Sequence, residues 1–214
     1  MSCENCDSRV HYPGRIIKIK KNSHTCVVCD KVLLPLKSDT SKWDQYFHSI
    51  CIAVADKSPC LSRKIGAVLV KDKSIVATGY NGPSRGIPHC GVDRYSVDKY
   101  LQEEFKNILM LTPIRRRIDT ECPRKVLGYE SGTHMELCPA QHAEVNAISN
   151  AARLGVSVLD TTLYMNCIIP CKNCFGTLIN AGIVEIVVDG IKVYDKHTQY
   201  LIDNSTIKIR RFEL

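Results

Sequence analysis

Residues 141–188, QHAEVNAISNAARLGVSVLDTTLYMNCIIPCKNCFGTLINAGIVEIVV, decide the fold. From Gln141 to Leu154 the apolar positions recur at the helical period, and Gly155 supplies the stop. A strand over Thr161–Asn166, a helix over Cys171–Ala181 and a strand over Ile183–Val188 follow. Upstream, Ile65–Lys71 and Ser74–Tyr80 are two apolar, β-branched runs separated by Asp72-Lys73, the pattern of a hairpin. Tyr80-Asn81-Gly82-Pro83 then breaks regular structure. Before the hairpin, Ser41-Lys42-Trp43-Asp44 resembles a capping box with aspartate in place of Glu/Gln. Behind it Trp43, Phe47, Ile50 and Val54, with Tyr46, recur at helical spacing to about Asp56. The run Thr206–Phe212 alternates as a strand does. Some 17 residues separate it from Val188, which favours a crossover between parallel strands over a tight hairpin. A hairpin followed by helix-linked strands predicts an α/β fold, a mixed sheet with helices on its faces.

Two stretches stand apart. Residues 1–38 form a short basic module with too few large apolar residues for a core of its own, so the main domain is read as 39–214. Cys3-x-x-Cys6 and Cys26-x-x-Cys29 in that module have the spacing of a zinc ribbon. Residues 91–139 are irregular and read as an insertion, with a helix over Val97–Met110 and a basic cluster at Arg115-Arg116-Arg117.

A chain of 214 residues holds one packed domain and a small appendage. Its net charge of +7 suits an anionic partner without naming one, since a nucleotide, a polynucleotide and a plain solvated surface are all compatible. No apolar run has the length of a membrane span, and Met1–Cys6 lacks the pattern of a signal peptide, so a cytoplasmic protein is expected. In a reducing compartment, twelve cysteines point to metal ligation rather than disulfides.

The chemistry is concentrated at two helix starts. His142-Ala143-Glu144 opens one helix and Pro170-Cys171-Lys172-Asn173-Cys174 the next, together an H-x-E…P-C-x-x-C pattern, the signature of zinc deaminases. First-turn side chains project toward one point, and the unpaired N–H groups there favour thiolate charge. Pro170 suits a helix entry, where its missing donor costs little. His142, Cys171 and Cys174 supply three ligands and leave the fourth tetrahedral place of a Zn²⁺ for water, whose pKa the metal lowers to about 7. Glu144 is placed to carry protons from that water to the ring and the leaving amine.

From about Trp43 to Val188 the chain resembles the deoxycytidylate deaminases. The resemblance is carried by Trp43-Asp44-Gln45-Tyr46-Phe47, Ile65-Gly66-Ala67-Val68-Leu69-Val70, Gly79–Pro83, His142–Ile148 and Leu163-Tyr164-Met165 ahead of Pro170–Cys174. It implies the cytidine deaminase fold with a five-stranded mixed sheet, a nucleotide substrate, a homo-oligomer that is commonly a hexamer, and regulation by dCTP and dTTP. It also implies that Asn81 holds the sugar or base edge and that the Ala143 backbone meets the pyrimidine. For the phosphate, Arg63, Lys64, Lys192 and Tyr194 are the candidates. Cys60 and Cys90 stand where some phage relatives carry ligands of a second zinc. With Cys122 and Cys138 they make a candidate structural site, and His134 is an alternative fourth ligand. That leaves Cys51, expected in core packing, and Cys167.

Three readings stay open. The first is hydrolytic deamination of free dCMP to dUMP. The second is deamination of cytosine or adenine in a polynucleotide, which the basic cluster and the N-terminal knuckles suit. The third is a non-catalytic binding protein on a deaminase scaffold. Glu144 argues against the third, because a binding site needs no acid beside an open metal position.

Overall fold

The structure is a computed structural model that describes residues 42–106, 117–130 and 132–212. The N-terminal knuckles Cys3, Cys6, Cys26 and Cys29 lie outside the described residues. So do Ser41, Arg115, Arg116 and Met110.

Helix α1 (Lys42–Ala55) leads into the strands β1 (Gly66–Lys71) and β2 (Ser74–Tyr80). These pair antiparallel, and the two residues between them, Asp72 and Lys73, both take positive φ. That is the backbone of a type I′ turn, whose twist matches the strands it joins. Next come a two-residue strand β3 (Gly82–Pro83), helices α2 (Val92–Val97), α3 (Lys99–Phe105) and α4 (Pro123–Val126), and a second two-residue strand β4 (Ala140–Gln141). Helix α5 (Ala143–Arg153), strand β5 (Thr162–Ile168), helix α6 (Lys172–Asn180), strand β6 (Glu185–Gly190), helix α7 (Lys196–Asp203) and strand β7 (Lys208–Arg211) complete the chain.

The main sheet runs β2-β1-β5-β6-β7. The β5-β6 and β6-β7 pairs are parallel, and β1 is antiparallel to both its neighbours. The sheet is therefore mixed, and α7 provides the predicted crossover between the last two strands. Its central strands are apolar on both faces because both faces are covered. Ala67, Leu69, Leu163, Met165, Ile186 and Val188 face α5 and α6 through Ala143, Ala147, Phe175 and Leu178. Val68, Val70, Tyr164 and Val187 pack on the other face against Phe47, Cys51 and Phe212.

Two local readings need correction. The predicted helix over Val97–Met110 is broken within the described residues. Asp98 ends α2 and caps α3, its carboxylate accepting from the Leu101 N–H at 3.0 Å and from Arg94 Nε at 2.8 Å. Periodicity does not register such a break, because Tyr95 of α2 packs against the same small cluster, Leu101, Phe105, Ile118 and Val126, that α3 feeds with Leu101 and Phe105. The buried stripe of α1 is Asp44, Phe47, Cys51 and Ala55, whereas Trp43 and Tyr46 are about half exposed. Asp44 enters the interior because Arg210 bonds both its oxygens, at 2.9 and 3.2 Å, and the Tyr164 hydroxyl donates to it at 2.7 Å. Cys51 is buried as expected, its thiol donating to the Tyr164 carbonyl.

Among the described residues, no helix is long and apolar enough to cross a membrane.

Candidate metal centre and active site

His142 is the N-cap of α5 and Cys171 the N-cap of α6, both in extended backbone. Cys174 and Glu144 stand one turn or less inside those helices. Two further contacts fix the helix starts. Gly82 and Pro83 of β3 pair with Gln141 and Ala140 of β4, which ties the Asn81 loop to the residue before His142. Asn146 and Asn150 donate from α5 to the Tyr80 and Thr78 carbonyls of β2, at 2.8 and 2.9 Å. Gly79 permits this approach, because a Cβ there would fall 2.3 Å from the Ala147 nitrogen and 2.4 Å from the Ala143 oxygen.

The helix starts bring together three donor atoms. Cys171 Sγ lies 3.5 Å from Cys174 Sγ and 3.6 Å from His142 Nδ1, and Cys174 Sγ lies 3.3 Å from that nitrogen. Zinc–sulfur bonds of about 2.3 Å and zinc–nitrogen bonds of about 2.0 Å at tetrahedral angles require edges of about 3.8 and 3.5 Å. The observed triangle fits one face of such a tetrahedron. The electrostatics agree. Hydrogen bonds from Cys174 and then His142 outweigh burial and hold the Cys171 thiol down to about 4, and bonding to Cys171 and Glu144 pushes His142 up to about 10. The bond to Cys171 pushes Cys174 in the opposite direction, upward. Three donors sharing protons in this way are a set that a divalent cation binds by displacing those protons.

Glu144 is buried, and its Oε1 lies 3.8 Å from His142 Nδ1. It stands beside the three donors but outside the set of ligand atoms that lie within 4.8 Å of one another. A carboxylate that borders a three-donor metal face without closing it can exchange protons with whatever occupies the open side.

The site opens into a cavity of about 80 Å³ lined by Asn81, Ala143, Glu144, Arg63, Tyr194 and Arg124, among others. Apolar walls come from Ile65, Met165, Ile168 and Ile169. Ala143 presents backbone at the start of α5, where sequence places it. Asn81 lines the cavity, but its side chain already knits the loop. Its Oδ1 accepts from Ser58 Oγ and the Ile65 N–H, both at 2.8 Å, and its Nδ2 donates to the Arg63 carbonyl at 2.8 Å. Of the phosphate candidates, Arg63 and Tyr194 line the cavity, whereas Lys64 and Lys192 do not. The Lys64 ammonium is drawn away by the Asp56 carbonyl at 3.2 Å. Sequence reasoning missed Arg124, for nothing in Cys122-Pro123-Arg124 signals that this residue lines the cavity beside the metal donors.

Cys60 and Cys138 also line the cavity, and Cys90 feels the charges of Cys122 and Cys138. Burial raises the Cys90 thiol, while Arg94 donates to its sulfur at 3.7 Å and opposes the rise. His134 is turned to Glu136 at 3.0 Å and stacks on Tyr129.

The family described as "Cytidine and deoxycytidylate deaminase zinc-binding region" matches residues 41–189. The deoxycytidylate deaminase of Schizosaccharomyces pombe is 28% identical over 79% of this chain, and that of Saccharomyces cerevisiae 28% over 86%. The chain spans less than half the length of these two, 44% and 48% respectively. The deoxycytidylate deaminase of Mycobacterium phage D29 is 31% identical over 68% of this chain and 92% of its own. Among solved structures, the dCMP deaminase of cyanophage S-TIM5 in complex with dCMP and dUMP shares the fold. It has a TM-score of 0.51 and 18% identity, over 78% of this chain and 94% of that one. The chain belongs to the zinc-binding cytidine and deoxycytidylate deaminase family.

Proposed function

We propose that this protein hydrolyses dCMP to dUMP and ammonia, and that Glu144 is its proton carrier. The observation that carries the reading is the buried Glu144 carboxylate, 3.8 Å from His142 Nδ1 and beside the three gathered donors. His142, Cys171 and Cys174 would hold a Zn²⁺, which when bound lowers the pKa of water and makes hydroxide available at neutral pH. Glu144 takes the proton that water gives up and delivers it to N3 of the ring. Oxygen adds at C4, and the same carboxylate passes the second proton to the departing amine. The C4–N bond breaks, and a carbonyl remains. The Ala143 backbone and the apolar walls of Met165, Ile168 and Ile169 hold the ring and limit water around it. The deoxynucleotide preference rests on the relatives, three of which bear the name deoxycytidylate deaminase.

We also propose a structural metal held by Cys60, Cys90, Cys122 and Cys138, a reading that rests on the family resemblance and on the charges of Cys122 and Cys138 reaching Cys90. Among the described residues, the donor atoms already gathered within 4.8 Å of one another are those of His142, Cys171 and Cys174, so these four cysteines would have to draw together on binding. A zinc ribbon at Cys3, Cys6, Cys26 and Cys29, assembly as a hexamer, control by dCTP and dTTP, and a cytoplasmic location belong to the same reading. The ribbon rests on spacing alone, and the other three on family resemblance and composition.

One preparation tests the whole. Purified full-length protein is assayed for ammonia release and loss of cytosine absorbance on deoxycytidine, dCMP, dCTP and a cytosine-containing single-stranded oligonucleotide, alongside metal analysis. The expected result is fastest turnover of dCMP, with two or three zinc ions per chain. Faster turnover of the oligonucleotide would replace the mononucleotide reading, and a single zinc would remove both structural sites.

A further inference from the structure

Two described arginines are buried to the same extent, 8% exposed, but their surroundings differ. Arg94 directs its Nε to the Asp98 carboxylate at 2.8 Å and its Nη1 to the Leu137 carbonyl. Arg124 has no carboxylate within ion-pair distance among the described residues. Its Nη1 donates to the Thr133 carbonyl at 2.6 Å and to Met135 Sδ at 3.1 Å, and a thioether is a weak acceptor. Its Nε is buried without a hydrogen-bond partner among the described residues. Glu136 is near enough to feel the Arg124 charge, but its Oε1 engages His134.

Burying a guanidinium against neutral acceptors alone is costly, and the cost is relieved when an anion completes the site. Arg124 lines the same cavity as Glu144 and His142, where an anion that enters with the substrate would meet it. Cys60 and Cys138, proposed above as metal ligands, line that cavity too and are the competing source of negative charge that the zinc measurement below separates. A planar N–H fork matches the oxygens of a phosphate better than a lysine does. Only the ring's amino-bearing edge must reach Glu144. The sugar and its 5′ substituent then point away from the metal donors, toward the rest of the lining.

We propose that Arg124 is the specificity-determining residue that reads the 5′-phosphate of the nucleotide, so that the insertion, not the sheet, selects a phosphorylated substrate. This rests on the deaminase reading above. Arg63 and Tyr194, from the opposite parts of the chain, line the same space and are placed to share the anion.

The test compares wild type with Arg124→Gln and Arg124→Lys on dCMP and deoxycytidine, with zinc content and dCMP-induced thermal stabilisation measured in parallel. The expected result is a fall of about 10- to 100-fold in the ratio of kcat/KM for dCMP to that for deoxycytidine in Arg124→Gln, mostly through KM. Arg124→Lys should show a smaller fall, and zinc content should hold. Equal losses on both substrates, an unchanged ratio, or loss of zinc would overturn the proposal. Loss of zinc would assign the guanidinium to the charge of a cysteine metal centre instead. Should Arg124→Gln not fold, Arg124→Lys alone decides, because it keeps the charge but loses the Nε donor. If wild type releases ammonia from neither substrate, the deaminase reading fails by itself. Stabilisation of wild type but not of the variants by dCMP would then still support phosphate recognition, and equal stabilisation would refute it.

Discussion

Glu144, the second residue of α5, and Cys171, the N-cap of α6, serve different roles, one as the proposed proton carrier and the other as a donor to a metal. Each draws its character from a helix start. Glu144 is legible in the sequence as the last residue of an H-x-E triplet, but its burial is not. The structure shows a carboxylate enclosed beside an imidazole and two sulfurs, where few other groups could serve as acceptor. Glu144→Gln keeps the shape and removes the proton-carrying function. It should lower kcat by about 10²- to 10⁴-fold while metal analysis finds the zinc retained. More than a tenth of wild-type turnover would contradict the role given to this residue. Arg124 is the opposite case. Nothing near it in sequence marks it, because its significance lies in the partner that its Nε lacks.

At the level of elements, the contact between β2 and α5 sets the position of the site. The glycine at position 79 reads in sequence only as a residue of the hairpin's second strand. In the fold it is the point where α5 presses on the sheet edge, with Ala143 and Ala147 backbone against it. Gly79→Ala would drive a Cβ into backbone on both sides, so α5 must shift, and His142 and Glu144 shift with its first turn. We expect a loss of about 1–3 kcal/mol by chemical denaturation, with kcat falling alongside. A variant of wild-type stability and activity would show that α5 is not seated through this glycine. The hairpin itself was legible, because two β-branched runs around a two-residue gap admit few alternatives. The break at Asp98 was not, since capping competes with helix periodicity through hydrogen bonds that spacing does not reveal.

Across the molecule, α1 is joined to the far edge of the sheet by polar contacts as well as by packing. Arg210 on β7 bonds Asp44 of α1 and Glu185 of β6, and Tyr164 of β5 donates to the same aspartate. Replacing Arg210 with Met leaves Asp44 and Glu185 without that cation. The cost should be about 3 kcal/mol, the lower end for a buried pair, because the guanidinium side chain is itself 23% exposed. A urea midpoint unchanged from wild type would show that the network contributes nothing. The active-site face lies across the sheet from this network, so zinc content should survive the substitution.

Composition, periodicity and the two short motifs were enough to determine a mixed α/β sheet, its parallel crossover, and a donor set of His142, Cys171 and Cys174 with Glu144 beside it. These are local facts, written in hydrophobic period and in residue types that must open helices. What only the tertiary structure decided is how distant segments meet: the burial of Asp44 against Arg210, the seating of α5 on Gly79, and the approach of Arg124 to the cavity that Glu144 and His142 line. Contacts of that kind depend on which surfaces the folded chain brings together, and no window of sequence contains both partners.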